Sequence, residues 1–175
     1  MDFKQNYFEL FGLPVSFHID QEALGDAFHK LQAAVHPDKH AGAAQHDQRI
    51  SLQYATHINE GYDVLKQPLK RAIYLMLMKD VDVAANENPE LDPMFLMEQI
   101  ALREELDDIG DSENLEGLTD FKNKVNQVIC ELEQAFFDAF DADKLDEAES
   151  HIHHIQFMKK LHQAADHKEE QLLDY

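Results

Sequence analysis

The tripeptide His36-Pro37-Asp38 directly follows an amphipathic stretch, and its position there constrains the fold more than any other feature of the chain. The stretch opens with a capping aspartate, Asp20, and then repeats apolar residues at helical spacing. Pro37 disfavours helical geometry at the residue before it, so the helix must end there. The sequence therefore predicts a helix over 20–35 and then an exposed turn that presents an imidazole, a rigid ring and a carboxylate.

Helical periodicity continues through most of the remaining chain, and no segment alternates as a strand does. The predicted helices cover residues 3–11, 20–35, 44–66, 68–79, 92–108, 115–140 and 143–173. Gly110 is expected to end the helix that Asp92 and Pro93 begin. The expected fold is all-α, with a helical hairpin and exposed loop in residues 1–75, a short helix end and linker in 76–92, and a three-helix bundle in 93–175.

Charge is distributed unevenly along the chain. The formal net charge is −20, and residues 76–175 carry eight Lys and Arg against twenty-six Asp and Glu. Nucleic acid and anionic membrane surfaces both require a basic protein surface, so neither is an expected partner. A basic protein partner fits better, although acidity that only maintains solubility explains the same numbers.

The chain shows no sign of export, of membrane insertion or of a cluster site of its own. No apolar run approaches the roughly 20 residues that span a bilayer, and the N-terminus does not read as a secretory signal, so a cytoplasmic location is expected. The single cysteine, Cys130, excludes an intrachain disulfide and any multi-cysteine metal site. Its apolar neighbours favour a buried, inert thiol.

Two groups of histidines invite a metal or catalytic interpretation. His36, Asp38 and His40 could contact one cation, but a closed zinc site needs four ligands and a hydrolase needs an open position in a pocket. The second group, His151, His153 and His154, is interpreted as part of a solvated helix surface in a histidine-rich chain. We therefore expect no resident metal, no cofactor and no enzymatic activity.

The helix that begins at Asp92 is apolar on two faces. One stripe serves as core and consists of Phe95, Leu102, Leu106 and Ile109. The nearly opposite side carries Leu96, Met97, Ile100, Glu104 and Asp108. Phe157 lies about half a turn away from the core positions of the last helix, and so repeats the pattern. Acidic neighbours argue against full burial, so this side is interpreted as a binding surface; bundle core or contact with the N-terminal domain is the alternative.

The ordered motifs of the first 75 residues resemble a J-domain, the module that activates DnaK-type chaperone ATPases. They are Tyr7-Phe8-Glu9-Leu10-Phe11-Gly12-Leu13, His36-Pro37-Asp38, Ile58-Asn59-Glu60-Gly61-Tyr62-Asp63-Val64-Leu65, and then Pro68, Arg71, Ala72 and Tyr74. The resemblance implies that a chaperone contacts His36, Pro37, Asp38, Lys39 and Lys30. J-domains generally carry a more basic helix before the loop, whereas this one is largely acidic.

Phe95-Leu96-Met97-Glu98-Gln99 and Leu102-Arg103-Glu104-Glu105-Leu106-Asp107 resemble the C-terminal domain of the HscB family, co-chaperones of iron–sulfur cluster assembly. That likeness implies that an IscU-type scaffold protein binds Leu96, Met97, Ile100, Glu104, Asp108 and Phe157. It further implies delivery of the scaffold to a dedicated DnaK-like (HscA-type) chaperone and stimulation of its ATPase. A J-domain co-chaperone for an unrelated client is the alternative, with a metal-dependent hydrolase a distant third.

Overall fold

The structure, a computed structural model, describes residues 5–35, 45–84 and 93–173. Within these ranges all regular secondary structure is helical, which confirms the all-α prediction. The helices are α1 (Tyr7–Phe11), α2 (Gln21–Val35), α3 (Gln45–Lys66), α4 (Pro68–Leu77), α5 (Pro93–Asp111), α6 (Leu115–Asp141) and α7 (Leu145–Leu173). The chain forms two compact units, residues 1–78 and 79–175.

Local sequence signals set the ends of the first helices. Asn6 begins α1 with a capping box: its Oδ1 accepts from the Glu9 N–H at 2.9 Å, and the Glu9 carboxylate accepts from the Asn6 N–H at 3.1 Å. Gly12 ends α1 in the left-handed region, at φ 66°. Asp20 caps α2 as predicted, because its Oδ1 accepts from the N–H groups of Glu22 and Ala23.

The first unit is built around an antiparallel pair, α2 and α3. The ring of Phe28 stacks on Tyr62 with centroids 3.9 Å apart, and Ile58 and Leu65 are fully buried on α3. Nearer the loop end, the Ser51 hydroxyl donates to the Val35 carbonyl at 3.0 Å. Phe28, Leu31 and Tyr62 are half-buried between the two helices.

Two residues explain why α1 and α4 pack closely on this pair of helices. A Cβ at Gly61 would lie 2.7 Å from Cδ1 of Tyr7, so only glycine allows α1 to approach α3. Arg71 on α4 is 4% exposed, and its Nε donates to the Phe17 carbonyl at 2.6 Å. It also donates through Nη1 to the carbonyl of Leu65. One buried guanidinium therefore ties the segment before α2 to the end of α3.

The second unit is a bundle of α5, α6 and α7, and ion pairs join each pair of helices. Lys124 on α6 lies 2.8 Å from a Glu105 oxygen on α5, and Lys168 on α7 lies 2.9 Å from Asp107 on α5. The third link joins α6 to α7. It runs from Lys122 to Glu169 at 2.6 Å, with Asp166 at 3.3 Å.

The turns of the bundle differ from the prediction. Gly110 does not end α5, which continues to Asp111, and the left-handed residue of that turn is Glu113 at φ 52°. A Cβ at Gly110 would lie 2.8 Å from the Lys168 ammonium, so this glycine makes room for a crossing side chain. Asp143 was predicted to start α7; it instead occupies the left-handed region at φ 58°, and α7 starts at Leu145.

The prediction that Cys130 is buried is wrong. Its thiol is exposed, although the adjacent Ile129 is buried. The buried stripe of α6 runs through Leu118, Phe121, Val125, Ile129, Phe136 and Ala139. At about 100° per residue, Cys130 falls outside this stripe.

Candidate functional site

The loop predicted to contact a chaperone lies between α2 and α3, and His36, Pro37, Asp38 and Lys39 are outside the described residues. The structure does describe both flanks. α2 ends at the buried Val35, whose carbonyl accepts the hydrogen bond from Ser51 on α3. The two helices from which the loop departs are therefore held together near its base.

Lys30, the other predicted chaperone contact, is exposed on α2. Its helix is otherwise acidic or neutral on its exposed positions, which include Glu22 and Asp26. A partner that docks along α2 would therefore meet one lysine rather than a basic stripe. Electrostatic steering toward an acidic partner is correspondingly weak.

One side of α5 is an exposed apolar surface, as the sequence predicted. Leu96 is 43% exposed, Met97 73% and Ile100 59%, while the carboxylates of Glu104 and Asp108 are exposed beside them. The opposite stripe, Phe95, Leu102 and Leu106, is buried in the bundle. We call the surface formed by Met94, Leu96, Met97, Ile100, Glu104 and Asp108 the outer face of α5.

Met94 was missed by the sequence reasoning. It is 77% exposed, more than any other large apolar side chain among those described. It precedes Met97 by three residues, a spacing that places both on one side of a helix. That spacing could have identified it.

The expectation that Phe157 lies off the core and in solvent is wrong. Its side chain is 7% exposed, and its ring meets the Phe95 ring edge-on with centroids 5.7 Å apart. The guanidinium of Arg103 lies over the Phe157 ring, 5.7 Å from the ring centre. Phe157 thus belongs to the contact between α5 and α7 and supports α5 from within the bundle.

The error at Phe157 has a structural cause: α7 buries two stripes. The side bearing His162 and Asp166 meets α6, where His162 lies 3.2 Å from the amide nitrogen of Asn126 and Asp166 lies 3.3 Å from Lys122. The side bearing Phe157 meets α5. A helix that packs against two neighbours has a core wider than one stripe.

His151, His153 and His154 are half-buried rather than solvated, so the interpretation of this group as a solvated helix surface is also wrong. His154 stacks on Phe95 with ring centroids 3.6 Å apart, and His153 Nδ1 lies 3.3 Å from the Gln156 side-chain oxygen. Burial lowers the pKa of His151 below its usual value of 6.5. Among the residues the structure describes, no three His, Cys, Asp or Glu side chains group as metal ligands would.

None of the helices in the described ranges is both long and apolar enough to cross a bilayer. The molecule therefore presents its apolar outer face on α5 without a membrane-spanning segment among the residues described. Exposed apolar groups collected on one helix face are a usual mark of a protein-docking surface.

The two units match two known domain families. Residues 6–74 match the DnaJ domain, and residues 91–166 match the family described as the HSCB C-terminal oligomerisation domain. A helical hairpin with the His-Pro-Asp loop, followed by a bundle with an exposed apolar face, defines a J-domain co-chaperone. Its partner class is the Hsp70-type chaperone.

Whole-chain similarity identifies the family more closely. A co-chaperone protein HscB homolog from Vibrio atlanticus is 38% identical over 169 residues, which cover 96% of this chain and 99% of that protein. The structure of chaperone HscB from Vibrio cholerae matches with a TM-score of 0.86 at 36% identity, covering 96% of this chain and 99% of that one. The chain belongs to the HscB family of co-chaperones.

The fold extends to a more distant structure. The crystal structure of human co-chaperone protein HscB matches with a TM-score of 0.88 at 24% identity, and the match covers 96% of this chain and 84% of the human chain. At this level of identity, the likeness shows a shared fold.

Proposed function

We propose that this co-chaperone binds an IscU-type iron–sulfur scaffold protein on the outer face of α5 and delivers it to a dedicated DnaK-like chaperone of the HscA type. The His36 loop stimulates the ATPase of that chaperone. The chain acts in the cytoplasm and carries out no chemistry of its own. Because the same molecule binds the client and carries the loop that stimulates the ATPase, ATP hydrolysis coincides with arrival of the client.

The observation that carries this proposal is the exposure of Leu96, Met97 and Ile100 on a helix whose other side already forms the bundle core. Leaving apolar area in water forgoes roughly 25 cal/mol per Å² of favourable burial. A partner that covers this face recovers that free energy. The carboxylates of Glu104 and Asp108 border the apolar centre, as a polar rim borders the core of a protein interface.

Phe157 has a different role from the direct contact first predicted. Its ring contacts Phe95 and Arg103 and is 7% exposed, so we infer that it sets the position of α5 rather than meeting the client over a large area. Loss of scaffold binding on truncation of Phe157 would then accompany loss of bundle stability. Truncations on the outer face separate these two effects.

The test of client binding uses calorimetry with the purified scaffold protein. The triple variant Leu96→Ala, Met97→Ala and Ile100→Ala should weaken binding by more than about tenfold, as truncation of apolar hot spots does. Its melting temperature should change little, because all three side chains are exposed. Leu52→Ala, which truncates an exposed leucine of the first unit, is the matched control and should bind normally.

The test of ATPase stimulation uses His36→Gln in the full chain. Steady-state ATP hydrolysis by the chaperone should lose its stimulation, while circular dichroism and scaffold binding stay at the parental level. Parental stimulation by the variant would contradict the assignment of the loop. Stimulation by the parent without any scaffold binding would instead favour an unrelated client.

A further inference from the structure

Among the methionines that the structure describes, the two most exposed lie on the outer face of α5. Met94 is 77% exposed and Met97 is 73% exposed, whereas Met76 and Met158 are buried at 0% and 2%. Met78, in the first unit, is less exposed than either, at 38%. The two most exposed of the described methionines therefore lie three residues apart on α5, and Met97 is likewise three residues from Ile100.

An exposed thioether is open to two-electron oxidation. The methionine sulfur gives an electron pair to hydrogen peroxide, so an S–O bond forms, the peroxide O–O bond breaks, and the second oxygen leaves as water. A thiol-dependent sulfoxide reductase reverses the change: the oxygen leaves as water while two thiols become a disulfide. The product is a polar sulfoxide in place of an apolar side chain.

We propose that Met94 and Met97 form a reversible oxidation site that switches off client docking on the outer face of α5. The inference rests on the proposed function, since it assumes that this face binds the scaffold protein. Peroxide is the oxidant, and the affected event is binding rather than folding.

The surroundings of the two methionines make the sulfoxide costly in a complex. A sulfoxide oxygen is a hydrogen-bond acceptor, and the polar residues of the outer face of α5, Glu104 and Asp108, carry carboxylates that only accept. The chain therefore supplies no compensating donor from these residues when a partner excludes water. An uncompensated buried acceptor weakens the complex, by about tenfold or more.

The same geometry predicts that the fold survives oxidation. Met94 and Met97 are exposed on α5, whereas Phe95 and Leu102 are buried in the bundle, so oxidation of the two methionines leaves the bundle core unchanged. Met158, whose oxidation would disturb that core, is shielded by burial. A brief peroxide treatment should therefore modify the docking face first.

The experiment compares scaffold binding before and after peroxide treatment of the full chain in a Cys130→Ser background, which removes the exposed thiol. Catalase removes residual peroxide before the untreated scaffold is added. Mass spectrometry should find oxygen on Met94 and Met97 ahead of Met76 and Met158, with binding weakened at least about tenfold. Treatment with methionine sulfoxide reductases should restore it.

The matched variant is Met94→Leu with Met97→Leu, which keeps an apolar face that peroxide cannot oxidise. It should bind the scaffold normally and keep its affinity after peroxide, whereas Met78→Leu should remain as sensitive as the parent. Loss of binding by the double leucine variant on oxidation would overturn the inference. Normal binding by the oxidised parent would also overturn it and leave the proposed function standing; failure of the untreated parent to bind would refute both.

Discussion

The substitution Phe157→Ala is the sharpest test of the bundle. The phenylalanine ring packs between the Phe95 ring and the Arg103 guanidinium and is 7% exposed. Truncating a buried phenylalanine usually costs about 3–5 kcal/mol, and the edge-on pair with Phe95 accounts for about 0.5–1.5 kcal/mol of it. A groove of about 340 Å³, partly lined by Phe157, lets water enter the vacated space. We therefore expect about 3 kcal/mol, at the lower end of the range.

The expected consequence for thermal unfolding is large. For a unit the size of residues 79–175, each kcal/mol shifts the melting temperature by about 4–8 °C, so the midpoint of the bundle should fall by roughly 12–24 °C. Circular dichroism reports the melt. Hydrogen exchange of peptides from α6 and α7 assigns the loss to the bundle rather than to the first unit.

Met97→Ala is the control, because it also truncates a large apolar side chain but one that is 73% exposed. It should change the unfolding free energy by no more than about 0.5 kcal/mol. A cost below about 1 kcal/mol for Phe157→Ala would refute the packing argument, and would return Phe157 to the solvent-facing role that the sequence first suggested.

Two further predictions concern Arg71 and His151. Arg71→Met should destabilise the first unit by about 2–3 kcal/mol in urea unfolding, because it leaves the buried carbonyls of Phe17 and Leu65 without their charged donor. The control is Lys70→Met, which removes only an exposed ion pair with Asp63 and should leave the unfolding midpoint nearly unchanged. Burial holds the pKa of His151 below 6.5, so the unfolded chain binds more protons and bundle stability should fall as the pH drops below that value. Melting curves between pH 7.5 and 5 should show a smaller fall for His151→Leu; an equal fall would show that other groups dominate.

Helix positions and caps followed from local sequence because they depend on residues close in the chain. Asp20 fixes where α2 begins, since its carboxylate accepts from the N–H groups of Glu22 and Ala23 two and three residues away. The side of α5 that faces solvent was also predictable, because Phe95 and Leu102 are spaced to share one stripe while Met97 and Ile100 fall opposite. The roles of the predicted chaperone-binding and client-binding residues came from the resemblance to the J-domain and HscB families.

Contacts between distant residues were not predictable in this way. Nothing in the local sequence indicates that Gly110 lies under Lys168, or that Arg71 donates to a carbonyl at Phe17. Gly110 was predicted to end α5 because glycine often ends helices. The other explanation for glycine at this position, a side chain that crosses from α7, exists only in the folded bundle.

Local sequence patterns account for the positions of the helices, the exposed face of α5 and the order of the two units. The packing of α7 on both α5 and α6, which buries Phe157, was apparent only once the helices were assembled. The periodicity of apolar residues shows how many apolar side chains a helix has and in which directions they point, but not what covers them. How many neighbours cover them depends on the arrangement of the other helices, and that arrangement decides which apolar side chains stay in water to meet a partner.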